Sequence, residues 1–347
     1  MGSARLSWLL APWHVAALAT GAKSFRDNPV IGSPTLNRAG LHIARVRLAH
    51  RMSEWRRRRL QSLISEEDRA AFARDGFVLK QDFLPTVGFA ALKEQVLSFR
   101  GPVRHQLQGD AMTRRIAVDH HALARMPALR GLVESPEWLG LVRYIGSYML
   151  EPLVYIQTIF SHARKAAPDP QTRLHADAFH PSVKAWLFLT DVAEEDGPFI
   201  YVPGSHLPTR RRLSWERKAS VAAAQSSDFQ SARGSLRITP DQVRRLGFGE
   251  AKAFAVPQNT LVVADTVGFH ARGLSAGPSV RLEIWAYGRR NPFLPWLGLD
   301  PAALPFVKGR AVPLYWSALD IAERFQLRSN PWQSAGNATP TEYPLIH

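Results

Sequence analysis

Beyond residue 150 the chain changes texture, and that change limits the folds open to it. Residues 153–160, 183–192, 199–202, 260–264 and 280–287 are short runs rich in β-branched and aromatic residues, separated by Gly, Pro and Asp. Before them the pattern is helical. Ser65-Glu66-Glu67-Asp68 is a capping-box start whose helix runs through Phe72 and ends at Asp75-Gly76. Residues 77–79 read as a strand, and further helices are predicted around 89–99 and from about 136 to 150. Helices first and many short strands afterwards predict a mainly β fold with flanking α-helices, a barrel or jelly roll. A helical, basic insertion at 207–250, beginning Arg210-Arg211-Arg212, interrupts the strands, and residues 291–347 form a Pro- and Trp-rich tail packed on the core. No internal repeat is present at any period.

With 347 residues, 46% of them hydrophobic, the chain can bury a sizeable core, so its net charge of +15 belongs to a folded protein. It has no cysteine. That excludes disulfide scaffolds, Cys-ligated zinc, iron–sulfur clusters and thiol nucleophiles, and leaves imidazole and carboxylate to hold any metal. The twelve histidines make such a site feasible. A strongly basic balance points to an anionic partner: nucleic acid, an acidic membrane surface or a phosphorylated substrate.

Most of the excess charge lies in residues 1–60, where eleven Lys and Arg face two acids, a net +9. The opening apolar run, residues 6–22, carries Trp8 and Trp13 but is interrupted by Pro12 and His14 and falls short of the roughly 20 residues of a membrane span. Arg5, the apolar stretch and Ala17-Leu18-Ala19 imitate a secretory signal. Between 40 and 63, Leu41, Ala44, Leu48, Met52 and Trp55 recur as one helical face, with Arg45, Arg47, Arg51 and Arg56 to Arg59 over much of the remainder. Two readings stay open: a basic helix lying on an anionic bilayer, or a solvated helix packed on its own catalytic domain. Nucleic acid is the weakest partner, because no binding module accompanies the basic run.

In Leu174-His175-Ala176-Asp177 an imidazole and a carboxylate stand two residues apart, on one face if the segment is extended. Alone, His-x-Asp usually means a surface polar pair. A second histidine, His270 in Gly268-Phe269-His270, ends a run in the same β-rich region. Two His and one carboxylate form the facial triad that holds non-haem Fe(II) and leaves positions open for a bidentate co-substrate and O2. Arg281 follows His270 by eleven residues, after the turn at 273–278, and a hairpin there would bring it near the metal. Its planar fork could bind the far carboxylate of 2-oxoglutarate; in isolation it would be an ordinary strand-edge arginine.

Together these residues resemble the phytanoyl-CoA dioxygenase-like branch of the Fe(II)- and 2-oxoglutarate-dependent oxygenases. The resemblance lies in His175-x-Asp177, in Gly197-Pro198-Phe199-Ile200-Tyr201-Val202-Pro203-Gly204-Ser205-His206, in His270 with Arg281, and in residues 72–79 as an opening helix and strand. It spans roughly 65–290. It implies a double-stranded β-helix (cupin-like jelly roll) at 61–290, iron ligands His175, Asp177 and His270, and Arg281 as the 2-oxoglutarate clamp. By placement it adds Trp186 and Lys165 near the co-substrate. Gly204 is expected to take an unusual backbone angle in its turn. Arg272 departs from the pattern, standing where many relatives carry a small hydroxyl residue, and is a candidate substrate contact.

The implied reaction is hydroxylation of an unactivated C–H bond, with desaturation or epimerisation as relatives of it, and with succinate and CO2 released. Relatives that halogenate replace the carboxylate at Asp177 by a small residue, so halogenation is disfavoured. The expected substrate is a small anionic or amphiphilic molecule, lipid-like or carrying acyl or phosphate groups, met by Arg210 and Arg211 of an insertion lying over the pocket. The alternatives are a catalytically silent β-helix scaffold and a basic membrane- or nucleic-acid-binding protein. Ferrous iron and 2-oxoglutarate predict a cytoplasmic protein, peripheral at the inner membrane face if residues 1–60 touch lipid.

Overall fold

The computed structural model describes residues 12–344; Arg5 and Trp8, and with them the start of the signal-like pattern, lie outside the described residues. Six principal helices are α1 (Leu41–Leu60), α2 (Glu66–Asp75), α3 (Thr86–Ser98), α4 (Pro136–Gly146), α5 (Arg210–Ala222) and α6 (Ala311–Arg324). The strands are β1 (Phe77–Lys80), β2 (Gly101–Gln108), β3 (Ala111–Ala117), β4 (Leu153–Ser161), β5 (Val183–Phe188), β6 (Phe199–Tyr201), β7 (Lys252–Ala253), β8 (Leu261–Asp265), β9 (His270–Arg272), β10 (Ser279–Gly288) and β11 (Gln333–Ala338). Eight form one antiparallel sheet in the order β1-β8-β5-β10-β4-β3-β2-β11, and β7-β6-β9 form a smaller one. This is the jelly-roll core the sequence predicts.

Alternation along the central strands divides the interior. On β10, Leu282, Ile284 and Ala286 join Val183, Ala185 and Leu187 of β5 against Leu92 of α3 and Trp138, Leu141 and Ile145 of α4. The residues between them face the other way. Trp285, with Trp186 and Phe188 of β5, packs on Phe199, Tyr201 and Phe254, the side that holds the site.

One expectation about the strands is corrected, and two features are added to it. The turn at 273–278 is no hairpin: β9 pairs with β6 in the small sheet, while β10 lies between β4 and β5 in the large one. The C-terminal tail is part of the fold, because β11 pairs with β2 and both Trp316 and Trp332 enter the aromatic cluster. The hairpin β2–β3 was hidden by composition. Its inward side chains Gln106, Thr113 and Arg115 line a polar cavity, so the pair lacks the apolar alternation of a half-buried hairpin.

A second correction concerns α1. Its predicted apolar stripe faces outward, with Leu48 49% and Trp55 38% exposed, while Arg45, Arg56 and Arg57 are buried. Guanidinium groups tolerate this position because their five donors find acceptors. Arg56 donates to the carbonyls of Ser147 (2.9 Å), Pro292 (3.1 Å) and Leu294 (2.9 Å). Arg57 donates to Ile145 O at 2.7 Å and pairs with Asp265 at 2.9 Å. The helix is thus packed on the catalytic domain through these arginines together with buried Ile43, Val46, Ala49 and Leu60. Among the described residues no helix is long and apolar enough to cross a membrane.

Candidate active site

His175 and His270 face each other across an isolated antiparallel bridge, exchanging N–H···O bonds of 2.9 Å in both directions. Residues paired this way send their side chains to one face, and the two rings are 4.4 Å apart between centroids. Asp177, two residues on, is fixed by its N–H to Thr266 O at 3.0 Å. Its Oδ1 is 3.6 Å from His175 Nε2 and 3.7 Å from His270 Nε2. One donor atom from each of the three lies within 4.8 Å of the others.

Backbone carbonyls select the tautomers. His175 Nδ1 lies 2.8 Å from Arg173 O and His270 Nδ1 lies 2.9 Å from Gly268 O, so each Nδ1–H donates outward and each Nε2 lone pair faces the cluster. His270 Nε2 is buried and has no hydrogen-bond partner. Burial pushes His270 down to about 3, helped by the neighbouring His175, and burial lowers His175 as well. Burial acts to raise Asp177, but Lys184 and both imidazoles hold it well below the usual carboxylate range. Lys184 Nζ is 2.6 Å from Asp177 Oδ2, an ion pair without hydrogen-bond alignment. Neutral imidazoles and an ionised carboxylate are the forms that bind a cation.

The support behind His270 is tightly built. A Cβ at Gly268 would sit 1.9 Å from the Tyr201 hydroxyl, which donates to Asp265 O at 2.8 Å, so only glycine fits there. Gly204, in the preceding turn, has φ of 73°, the left-handed angle expected of it.

The cluster opens into a cavity of about 480 Å³ between the sheets. Arg281 lines it, donating from Nε to Glu283 at 3.1 Å and from Nη1 to Gly197 O at 2.6 Å. Trp186 lines it too, stacked on Phe199 with centroids 4.3 Å apart. Arg272 reaches the same cavity and pairs with buried Asp169 at 2.6 Å. Lys165 does not: it lies in an exposed turn away from the lining. Arg210 and Arg211 are also exposed, on the first turn of α5, and do not line this cavity, since α5 docks on α1, where Arg212 and His42 both meet Glu216. The insertion instead braces His175 from behind, through Ala176 N to Leu236 O (3.1 Å) and Ile238 N to Leu174 O (3.0 Å).

Several lining residues escaped the sequence reading. Trp285 and Tyr287 share the inward face of β10 with Arg281 and with Glu283, which is buried behind the lining, a period-two pattern that the sequence displays. Lys23 carried no signal. It arrives from the N-terminal extension and donates to the backbone carbonyl of Asp177.

A two-sheet jelly roll with a buried His-x-Asp and a distal His around one cation-sized gap, and an inward arginine on the same wall, defines an iron- and 2-oxoglutarate-dependent oxygenase. The family model for phytanoyl-CoA dioxygenase matches residues 72–240, which include His175 and Asp177 and end before His270 and Arg281. The match covers just under half of the chain and is to a family of iron- and 2-oxoglutarate-dependent oxygenases, and the protein is an enzyme of that kind. No curated protein matches it in sequence. Among solved structures it is similar to the epimerase SnoN in complex with Fe3+, alpha ketoglutarate and nogalamycin RO, at 19% identity over 70% of this chain and 91% of that one, TM-score 0.45. It is similar also to the carbocyclase SnoK from nogalamycin biosynthesis (21% identity, 66% and 84% covered, TM-score 0.41). A third is HygX from Streptomyces hygroscopicus with nickel and 2-oxoglutarate bound (17% identity, 65% and 87% covered, TM-score 0.38).

Proposed function

We propose that this protein is a hydroxylase that uses Fe(II), 2-oxoglutarate and O2 to oxidise an unactivated C–H bond of an anionic, amphiphilic small molecule. The observation that carries the reading is a complete set in one cavity: His175, Asp177 and His270 in their metal-binding forms, with Arg281 on the same wall. The buried, unpartnered Nε2 of His270 fits a metal ion. His175, Asp177 and His270 would hold the iron, and Arg281 the far carboxylate of 2-oxoglutarate. When bound, that pair supplies oxygen activation, with the co-substrate converted to succinate and CO2 and one oxygen atom delivered to the substrate. The chain's own contribution is positioning. Arg173 O and Gly268 O orient the imidazoles, Lys184 keeps Asp177 ionised, and Glu283 holds the Arg281 fork by its Nε–H. Trp186, Phe199 and Trp285 supply apolar walls that exclude water from the target C–H.

Anaerobic titration with Fe(II) and 2-oxoglutarate tests this. The full chain is expected to develop a visible charge-transfer band and, with O2, to release succinate, and Asp177→Ala to lose both. A wild-type protein with neither property leaves the silent-scaffold reading.

We propose also that the protein is cytoplasmic and touches an anionic membrane through the outward face of α1. Leu48 and Trp55 are exposed there between the exposed Arg47, Arg51, Arg58 and Arg59, and the Arg59 guanidinium lies 3.5 Å above the Trp55 ring.

A further inference from the structure

We propose that Lys23, Lys184 and Arg289 form a receptor for an oxyanion of the substrate, a phosphate or carboxylate head group, at the end of the cavity away from Arg281. This rests on the hydroxylase reading for the word substrate, and on the cavity alone for the anion site.

The strands set two ends. Arg281 lies opposite Ile159 of β4, and Tyr287 lies opposite Lys184 of β5. Six residues of extended chain separate Arg281 from Tyr287, roughly 20 Å along the strand. Between them stand Trp285 and Trp186, directly opposite one another. A five-carbon dicarboxylate running from the His175, Asp177 and His270 cluster to Arg281 leaves the Lys184 end free.

The two ends differ in how their cations are matched. Toward Arg281 each cation has a fixed partner: Glu283 for Arg281, Asp169 for Arg272, and the Gln157 side chain at 2.7 Å for Arg115. Toward Lys184 there are three cations, and Asp177 is the one carboxylate among the lining residues. Lys23 and Arg289 are held by backbone carbonyls, those of Asp177 and Gly21. Asp177 is itself claimed by the metal cluster. Three cations facing a cavity with one shared carboxylate attract an anion, and the half-buried setting strengthens the attraction.

Lys23 is brought there deliberately. Buried Arg45 gathers three carbonyls of the approaching segment: Leu18 at 3.2 Å, Thr20 at 2.9 Å and Ala22 at 2.8 Å. Asn291 binds a fourth, Ala19 O, at 3.0 Å. The strap delivers an amine to the cavity from outside the matched family region. Trp285 and Tyr287, stacked with 6° between their rings and centroids 6.0 Å apart, line the wall beside it, which suits an apolar body attached to the anion.

The test uses the full chain and three probes, phenyl phosphate, benzoate and benzyl alcohol, with binding read by calorimetry. Wild type is expected to bind one or both anions and not the alcohol, and the tighter of the two names the head group. Lys23→Met is expected to weaken the anion by about tenfold or more, the loss of a charge-assisted contact, with Lys23→Arg restoring most of it and exposed Arg211→Ala having no effect. Lys184→Met gives an independent measurement. Anion affinity that is unchanged in both Lys23→Met and Lys184→Met, or benzyl alcohol bound as tightly as the anions, overturns the proposal. Succinate release by wild type is scored separately. Its absence defeats the hydroxylase reading while the binding data still decide the anion site.

Discussion

Arg281 is buried beside Glu283, which is fully buried and also accepts from Gln157 Nε2 at 2.5 Å. Removing the cation alone strands a carboxylate in the core. Arg281→Met is therefore expected to cost about 3–5 kcal/mol of stability, and Arg281→Met with Glu283→Gln to recover much of it, as measured by urea unfolding. Equal stabilities of the single and double variants would mean that Glu283 does not depend on Arg281. Two histidines outside the metal cluster set a pH response. Burial pushes His50 and His206 from 6.5 down to about 3, His50 with help from Arg212 and Arg57 against Glu216, and His206 from Arg57, His50 and Arg212. Because the unfolded chain takes up these protons first, their contribution is full above 6.5 and is lost as pH falls toward 3. Each is worth at most about 1.4 kcal/mol per pH unit in that window. The melting temperature is expected to drop between about pH 7 and pH 5, and less steeply in His50→Gln.

Helix α1 supports the turn before His270 from behind, through one arginine. Arg57 reaches Asp265, whose Oδ1 accepts from the N–H groups of Ser182 (3.0 Å) and Val267 (3.1 Å) in the turn leading to His270. Arg57→Met is expected to destabilise by about 3–5 kcal/mol in chemical unfolding, while Arg58→Ala on the outward face stays within about 0.5 kcal/mol. The helix itself was legible in the sequence, but its buried side was not. The buried side mixes Ile43, Val46 and Ala49 with hydrogen-bonded guanidinium groups, a mixture that apolar periodicity does not mark, while Leu48 and Trp55 face outward. The same limit applies to β2 and β3, whose inward positions serve a polar cavity. The His175, Asp177 and His270 cluster was readable because His175 and Asp177 stand two apart in one extended segment and His270 lies in the same β-rich region, where it begins β9. Lys23 was not, because its position depends on a strap folded back over the site. Arg210 and Arg211 misled for the opposite reason: a charge run on a helix start is ordinarily solvated, and theirs is.

Over the whole molecule, the +9 of the first 60 residues is not one patch. Arg45, Arg56 and Arg57 are inside, Lys23 lines the cavity, and Arg5 lies outside the described residues. What remains exposed on α1 is Arg47, Arg51, Arg58 and Arg59 around Leu48 and Trp55. Basic residues near an anionic leaflet contribute about 1 kcal/mol each, so these four give about 4 kcal/mol at low salt, enough for weak, reversible contact that two apolar side chains would reinforce. The full chain is expected to sediment with phosphatidylserine-containing vesicles and hardly at all with pure phosphatidylcholine. Added salt should release it as surface charges are screened, whereas binding of an anion within the cavity should persist at the same salt. Leu48→Ser with Trp55→Ser is expected to reduce the vesicle-bound fraction severalfold without moving the unfolding midpoint, because neither side chain supports the core. Vesicle binding equal to wild type in that variant would remove α1 from the contact.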